Sequence, residues 1–266
     1  MQTSILVGFL VGYGSLCLSI LIDSGWALHA ITAFFNFSAM LIIFGGVTGA
    51  IVISFPVGHL KEIPVALKKS FMQYKDIDLV ELAIQMAGFS QKARQEGLLS
   101  LEAEIPNVQD AWLRRGLQMV VDGLDRKMVI DVLDLELEEY THHQGIGAKI
   151  FQQLGGFAPT LGIIGTVMGL VHMLASMEDA SKLGGAIAVA FLATFWGILT
   201  ANLIFLPIAE RTKVKDYELI ATRRAMCEGL LSLQSGESVR IMEEKMKVFM
   251  NHDQRERFQA DRGKAA

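Results

Sequence analysis

The residues that usually do chemistry in a soluble enzyme are not arranged to do it here. The sequence has no GxxxxGK[ST] phosphate loop, no HExxH and no GxSxG, and His142 and His143 are adjacent, the wrong spacing for one helical face. No enzyme, metal site or cofactor is expected. The chemically suggestive residues lie instead in apolar sequence. At 100° per residue, Gly155, Pro159, Gly162, Gly165, Thr166 and Gly169 fall within an arc of about 120° on a helix. Ala186, Ala190, Ala193, Thr194, Gly197, Thr200 and Ala201 fill an arc of similar width further along. Two faces nearly bare of side-chain bulk let helices approach closely, and isolated hydroxyls at Thr166 and Thr194 offer oxygens that suit an ion path. On the residues alone, packing within the chain and a wall for a partner helix or an ion stay equally open. The glycine pairs Gly8 with Gly12 and Gly45 with Gly49 read as packing within the chain.

Pro159 and Pro207 each remove an intrahelical hydrogen bond and leave a carbonyl free. Both are expected near the same end of their helices, which suggests a hinge at one level. His172 is the ionisable residue of these two segments and reads as interfacial packing. No apolar segment carries an Asp or Glu, so any ion carried through the membrane needs a carboxylate supplied by a partner.

The elements that hold these residues follow from charge distribution. The 266 residues are 52% hydrophobic, with mean hydropathy +0.38. Charged side chains are absent from Met1 to Ile22, Ser24 to Leu60, Ile150 to Met177 and Leu183 to Ala209. Each gap exceeds the roughly 20 residues that cross a bilayer. An all-α membrane protein is therefore expected. It comprises a transmembrane hairpin over 1–56, with the second helix near Phe34 to Phe55, a cytoplasmic helical domain over 57–149, a second hairpin over 150–209, and a cytoplasmic C-terminal helix and tail over 210–266. The first span reads as retained, without a basic leader or cleavage site. Eleven Lys and Arg lie between Pro56 and Ile150 and twelve follow Ala209, while the Asp23 turn has none and the Glu178, Asp179, Lys182 turn has one. Both termini are thus expected in the cytoplasm. A net charge of -4 offers no footprint for nucleic acid, and Cys17 and Cys227 fall in different phases and are not expected to form a disulfide.

Between the hairpins, Leu117, Val121, Leu124, Met128, Val132 and Leu135 are spaced as one helical stripe, in a run from Ala111 toward Gly145. Helix starts are expected after Asp76 or Asp78 and after Asp110, with Gly97 and Pro106 as punctuation. In the tail, Glu243 and Lys247 are spaced as an i, i+4 pair, and the helix is expected to fray after about Asn251.

Two N-terminal spans, a domain of about ninety residues, the run Phe157-Ala158-Pro159-Thr160-Leu161-Gly162-Ile163-Ile164-Gly165-Thr166-Val167-Met168-Gly169-Leu170, and Phe205-Leu206-Pro207-Ile208-Ala209 together resemble the MotA/PomA family of flagellar motor stator proteins. The resemblance extends to Lys92-Ala93-Arg94-Gln95-Glu96-Gly97 and Leu99-Ser100-Leu101-Glu102. It implies a ring of five chains in the bacterial inner membrane around a dimer of a MotB-type subunit, whose helix carries the ion-binding aspartate. It also implies that Arg94 and Glu102 engage the rotor protein FliG, and that Pro159 and Pro207 couple ion occupancy to movement. Thr166 and Thr194 then lie near the ion path, and Gly162, Gly165, Gly169, Ala190, Gly197 and Ala201 pack around the partner's helices. The implied ion is H+, because Ala193-Thr194 stands where sodium-driven relatives tend to have two threonines; Thr166 favours the alternative, Na+. The ExbB/TolQ energy transducers resemble the last two spans but have three spans and lack the Arg94 to Glu102 segment.

Overall fold

A computed structural model describes residues 3–72, 77–177 and 180–265, with all side chains of these except 180–182 and 263–265. Asp76, Glu178 and Asp179 lie outside the described residues, as does the Lys182 side chain. The described residues are helical, with no strand among them.

Two compact units form, Met1–Tyr74 with Gln144–Lys215, and Lys75–His143 with Asp216–Ala266. In the first, α1 spans Thr3–Asp23. The second span, α2, runs through Phe37–Met40, a π-helical turn Leu41–Gly45, and Gly46–Ser54. Asn36 starts it by accepting the Ala39 amide at 3.1 Å. It stops where Pro56 forces Phe55 into extended backbone, φ -125° and ψ 138°. A short amphipathic helix, α3 (Glu62–Phe71), follows. It buries Ala66 with Phe151, Ile208 and Ala209, so residues just past Pro56 pack with the membrane unit.

In the second unit, α4 (Leu79–Glu96) starts at Asp78, whose carboxylate accepts the Val80 amide at 3.0 Å, and ends at Gly97 with φ +88°. Asp110 caps α5 (Ala111–Val121), accepting the Leu113 amide at 2.8 Å. The next helix, α6, runs unbroken over Arg126–Ala175. The expected single stripe does not survive between α5 and α6. Gly123, at φ +73°, breaks the helix and resets its phase. Leu117 and Val121 are buried before the break, whereas Val129 and Leu133 are buried after it and Met128 and Leu135 face out.

The seventh helix, α7, runs Ala180–Thr200, through a π-helical turn Ala201–Phe205, and on as Leu206–Gln234. The π turn precedes Pro207, which has no N–H for the Leu203 carbonyl one turn back. Among the described residues, four helices are long and apolar enough to cross a membrane: Thr3–Asp23, Phe37–Ser54, Arg126–Ala175 and Leu183–Gln234.

The tail is more ordered than expected. Ser238 caps α8 (Val239–Lys247), and α9 covers His252–Ala265. Asn251 and Gln254 exchange side-chain-to-amide bonds at 3.0 and 2.9 Å, a reciprocal cap at the point where fraying was expected. The otherwise polar α9 is seated by Phe258, 1% exposed. Its Arg257 reaches Asp78 at 2.8 Å and its Arg262 reaches Glu243 at 2.5 Å. Glu243 is therefore taken by Arg262, and Lys247 pairs with Glu244 at 2.7 Å. The core of this unit centres on Leu82, Met86, Leu101, Leu117, Met226 and Leu230. Cys227 is buried there, and burial pushes its thiol up to about 12, so it is inert at neutral pH.

Candidate functional site

The two small-residue faces meet each other. A Cβ added at Gly162 would lie 3.1 Å from the Ala193 carbonyl oxygen, and one at Gly197 would lie 2.6 Å from the Ala158 carbonyl oxygen. At Gly169 it would stand 2.6 Å from the Ala190 Cβ and 2.9 Å from the Ala186 oxygen, and at Gly165 it would run into the Ala193 Cβ. Ala201 is buried with Ala158, Ile43 and Val47, which brings in α2. Gly162, Gly165, Gly169, Ala190, Gly197 and Ala201 thus pack α6, α7 and α2 of one chain. The small faces are used at backbone distance within the chain, where Gly162 and Gly197 meet carbonyl oxygens of the facing helix. The surface that α6 leaves exposed is bulky, with Ile163, Ile164, Val167, Met168 and Val171.

The glycine pairs of the first two spans behave differently from expectation. Gly8 and Gly49 have open space at Cβ, and Gly12 meets only the Leu203 side chain at 3.4 Å. Gly46, beside the expected Gly45, is the α2 glycine that contacts another helix, with the Leu161 methyl groups 3.1 Å from its Cβ position.

Within the α6–α7 seam the threonine hydroxyls are hydrogen-bonded to each other. Thr166 Oγ1 also lies 3.1 Å from the Gly162 oxygen and 3.2 Å from the Ala190 oxygen, and Thr194 Oγ1 lies 3.2 Å from the Gly162 oxygen. Each hydroxyl has one proton. If Thr194 donates to Thr166, Thr166 donates to Ala190 or Gly162; in the opposite order, Thr194 donates to Gly162. Either order leaves both protons placed, and both residues are half-buried.

The prolines lie at neighbouring levels. Pro159 deprives the Gly155 carbonyl of its helical donor, and a Cβ at Gly155 would fall 2.5 Å from Leu206 Cδ2, on the residue before Pro207. Pro159 is half-buried and Pro207 exposed. Midway along the seam, Trp196 Nε1 donates to the Phe34 carbonyl at 2.7 Å and fixes α7 to the segment entering α2. His172 is exposed and lines a groove of about 900 Å³ with Asn36 and Ser38. Sequence reasoning missed Ala158, Leu206 and Trp196, since each acts through a neighbour in space.

Arg94 and Glu102 belong to the other unit. Arg94 is on the last turn of α4, and Glu102 is on the 3-10 segment Leu98–Ala103 that follows Gly97. Both are exposed, and neither has an ion-pair partner among the described residues. The reversal between them is held by Lys92 and Glu104, 2.6 Å apart. Hydrogen bonding to Lys92, then its charge, holds the Glu104 carboxyl below the usual carboxylate range, and hydrogen bonding to Glu104 raises the Lys92 ammonium.

Motility protein A of Bacillus subtilis is 35% identical over 265 residues, covering 100% of this chain and 96% of its own. The chain belongs to the MotA/PomA family of flagellar motor stator proteins. A family model for the MotA/TolQ/ExbB proton channel family matches residues 104–225. The chemotaxis protein PomA of Vibrio alginolyticus is 30% identical, over 96% of this chain and 98% of its own. The flagellar MotAB stator complex from Bacillus subtilis contains a chain of the same fold, with TM-score 0.85 and 35% identity, covering 95% of this chain and 98% of that one. Membership makes this chain a membrane-embedded stator subunit of the ion-channel type. Full-length similarity to motility proteins places it with the motor branch and not with the energy transducers.

Proposed function

We propose that five copies of this chain surround a dimer of a MotB-type subunit in the bacterial inner membrane, conduct H+ along the contact with that partner, and turn the rotor protein FliG. The observation that carries this reading is that the apolar stretches of the four spans, Met1 to Ile22, Ser24 to Leu60, Ile150 to Met177 and Leu183 to Ala209, contain no Asp or Glu, so the carboxylate that holds the ion belongs to the partner. The partner's helix packs on the bulky exposed face of α6, since the small face is closed within the chain. Thr166 and Thr194 sit behind that face and can reverse the direction of their shared hydrogen bond as charge passes. Pro159 and Pro207 supply the compliant level, and Arg94 and Glu102 are the exposed charges offered to the rotor. Both termini face the cytoplasm, a reading that the Lys and Arg distribution supports.

The test is expression with a MotB-type partner in cells lacking their own stator, scoring swimming and ion flux in sodium-free buffer. Rotation in that buffer, abolished by dissipating the proton gradient, is expected. Rotation that stops without sodium assigns Na+ instead, and no ion flux with the assembled partner overturns the reading.

A further inference from the structure

A cleft of about 260 Å³ in the membrane unit shares only Pro207 with the roles above. Its walls come from α1, α3 and α7, with Gly8, Phe9, Tyr13, Phe71 and Pro207 among them, and Arg211 stands at one end. Arg211 follows the last uncharged stretch of α7, so its guanidinium lies at the membrane–water boundary. Its Nε donates to the Ser70 carbonyl at 2.8 Å, and its Nη1 lies 3.4 Å from Ser4 Oγ. No carboxylate pairs with it among the described residues. The guanidinium is thus aimed by backbone, keeps its charge uncompensated, and has further N–H groups to offer.

The rest of the cleft is apolar and runs inward. Ser4 and Tyr13, nine residues apart on α1, mark its two ends about 14 Å apart along the helix axis, nearly the depth of one leaflet of hydrocarbon. Phe9 stacks on Tyr13 at 5.6 Å and on Phe71 at 6.4 Å, giving that wall a continuous aromatic surface. Gly8 leaves open space where a side chain would otherwise stand. A fixed cation at the boundary above a narrow apolar channel of leaflet depth matches one chemistry, an anionic headgroup carrying an acyl chain. We infer that this cleft binds an anionic phospholipid of the leaflet at the charged end of the spans, with the phosphate on Arg211 and Ser4 and an acyl chain along Gly8 and Phe9. The inference needs the chain to be a membrane protein and does not depend on the motor reading.

The experiment uses the chain assembled with its MotB-type partner in nanodiscs of phosphatidylglycerol and phosphatidylcholine, with lipid retained after detergent extraction counted by mass spectrometry. The wild type is expected to retain phosphatidylglycerol over phosphatidylcholine. Arg211→Gln should lower that preference about fivefold, the effect of one cation near the surface. Arg211→Lys should keep most of it, because the charge stays in place. Gly8→Leu fills the channel without touching Arg211 and should reduce retention of both lipids. Equal retention of the two lipids by the wild type, an unchanged preference in Arg211→Gln, or undiminished retention in Gly8→Leu overturns the assignment; if Arg211→Gln does not assemble, the Gly8→Leu result decides.

Discussion

Leu206 rests on Gly155, so the residue before one proline touches the residue whose carbonyl the other proline leaves without a helical donor. The two weak points in the backbone ladders of α6 and α7 are therefore in direct contact, and displacement at one presses on the other. Pro159→Ala or Pro207→Ala restores a backbone donor and should stiffen this level while leaving assembly intact. Torque, read from tethered-cell rotation at fixed expression, is expected to fall in both; for Pro207→Ala, slower hydrogen exchange around Ala201–Phe205 should accompany it. Normal rotation in both variants would remove the prolines from the coupling.

Along the seam above, Gly197→Ala places a methyl 2.6 Å from a backbone oxygen that cannot move aside, and Gly169→Leu adds bulk against Ala186 and Ala190. Both should lower the yield of assembled complex in size-exclusion chromatography. Thr194→Val replaces only the hydroxyl, and its effect on complex stability should be about 0.6 kcal/mol and no more than about 1.7, the mean and upper end for a hydrogen bond between membrane helices. A thermal melt of the detergent-solubilised complex that ranked Thr194→Val below Gly197→Ala would contradict this ordering.

At the rotor-facing segment, charge reversal at Arg94 or Glu102 should weaken torque without changing ion flux, and a complementary reversal on the rotor should restore part of it. Exposed charges steer and register a transient contact more than they add affinity. Loss that no rotor reversal rescues would assign these residues to folding of the unit.

The Lys92–Glu104 pair beneath that segment has its own pH window. Glu104 is held below its ordinary range, so its contribution is present above that range and is lost as pH falls through the lowered value. Lys92 is raised, so its contribution is present below the ordinary lysine range and lost as pH rises through the raised value. Hydrogen exchange at Leu98–Ala103 should therefore show protection from neutral pH down to the carboxylate range and lose it below. Glu104→Gln should abolish that pH dependence.

The C-terminal helix hangs on one apolar side chain. Phe258→Ala should cost about 3–5 kcal/mol at a fully buried site, enough to release α9 and expose it to limited proteolysis while the membrane unit stays folded. Persistent protection of residues 252–265 in that variant would show that Arg257 and Arg262 suffice.

Much of this protein was legible in one dimension. Long stretches without charge must be helices that satisfy their own backbone in lipid, so the four spans, the missing carboxylate and the helical character of the rest followed from charge spacing. Side-chain carboxylates at Asp78 and Asp110 started helices where expected, because capping is local. What sequence could not decide was which element each face meets. The same arc of glycine and alanine serves either a partner or a neighbouring helix, and only the tertiary structure showed α6, α7 and α2 of one chain closing on it, at distances set by backbone atoms. The single stripe from Leu117 to Leu135 failed because one residue at positive φ, Gly123, rotates everything after it. The order of α9 was hidden because its anchor is a lone Phe258 among charges, and burial of one side chain by distant residues leaves no periodic mark on the sequence.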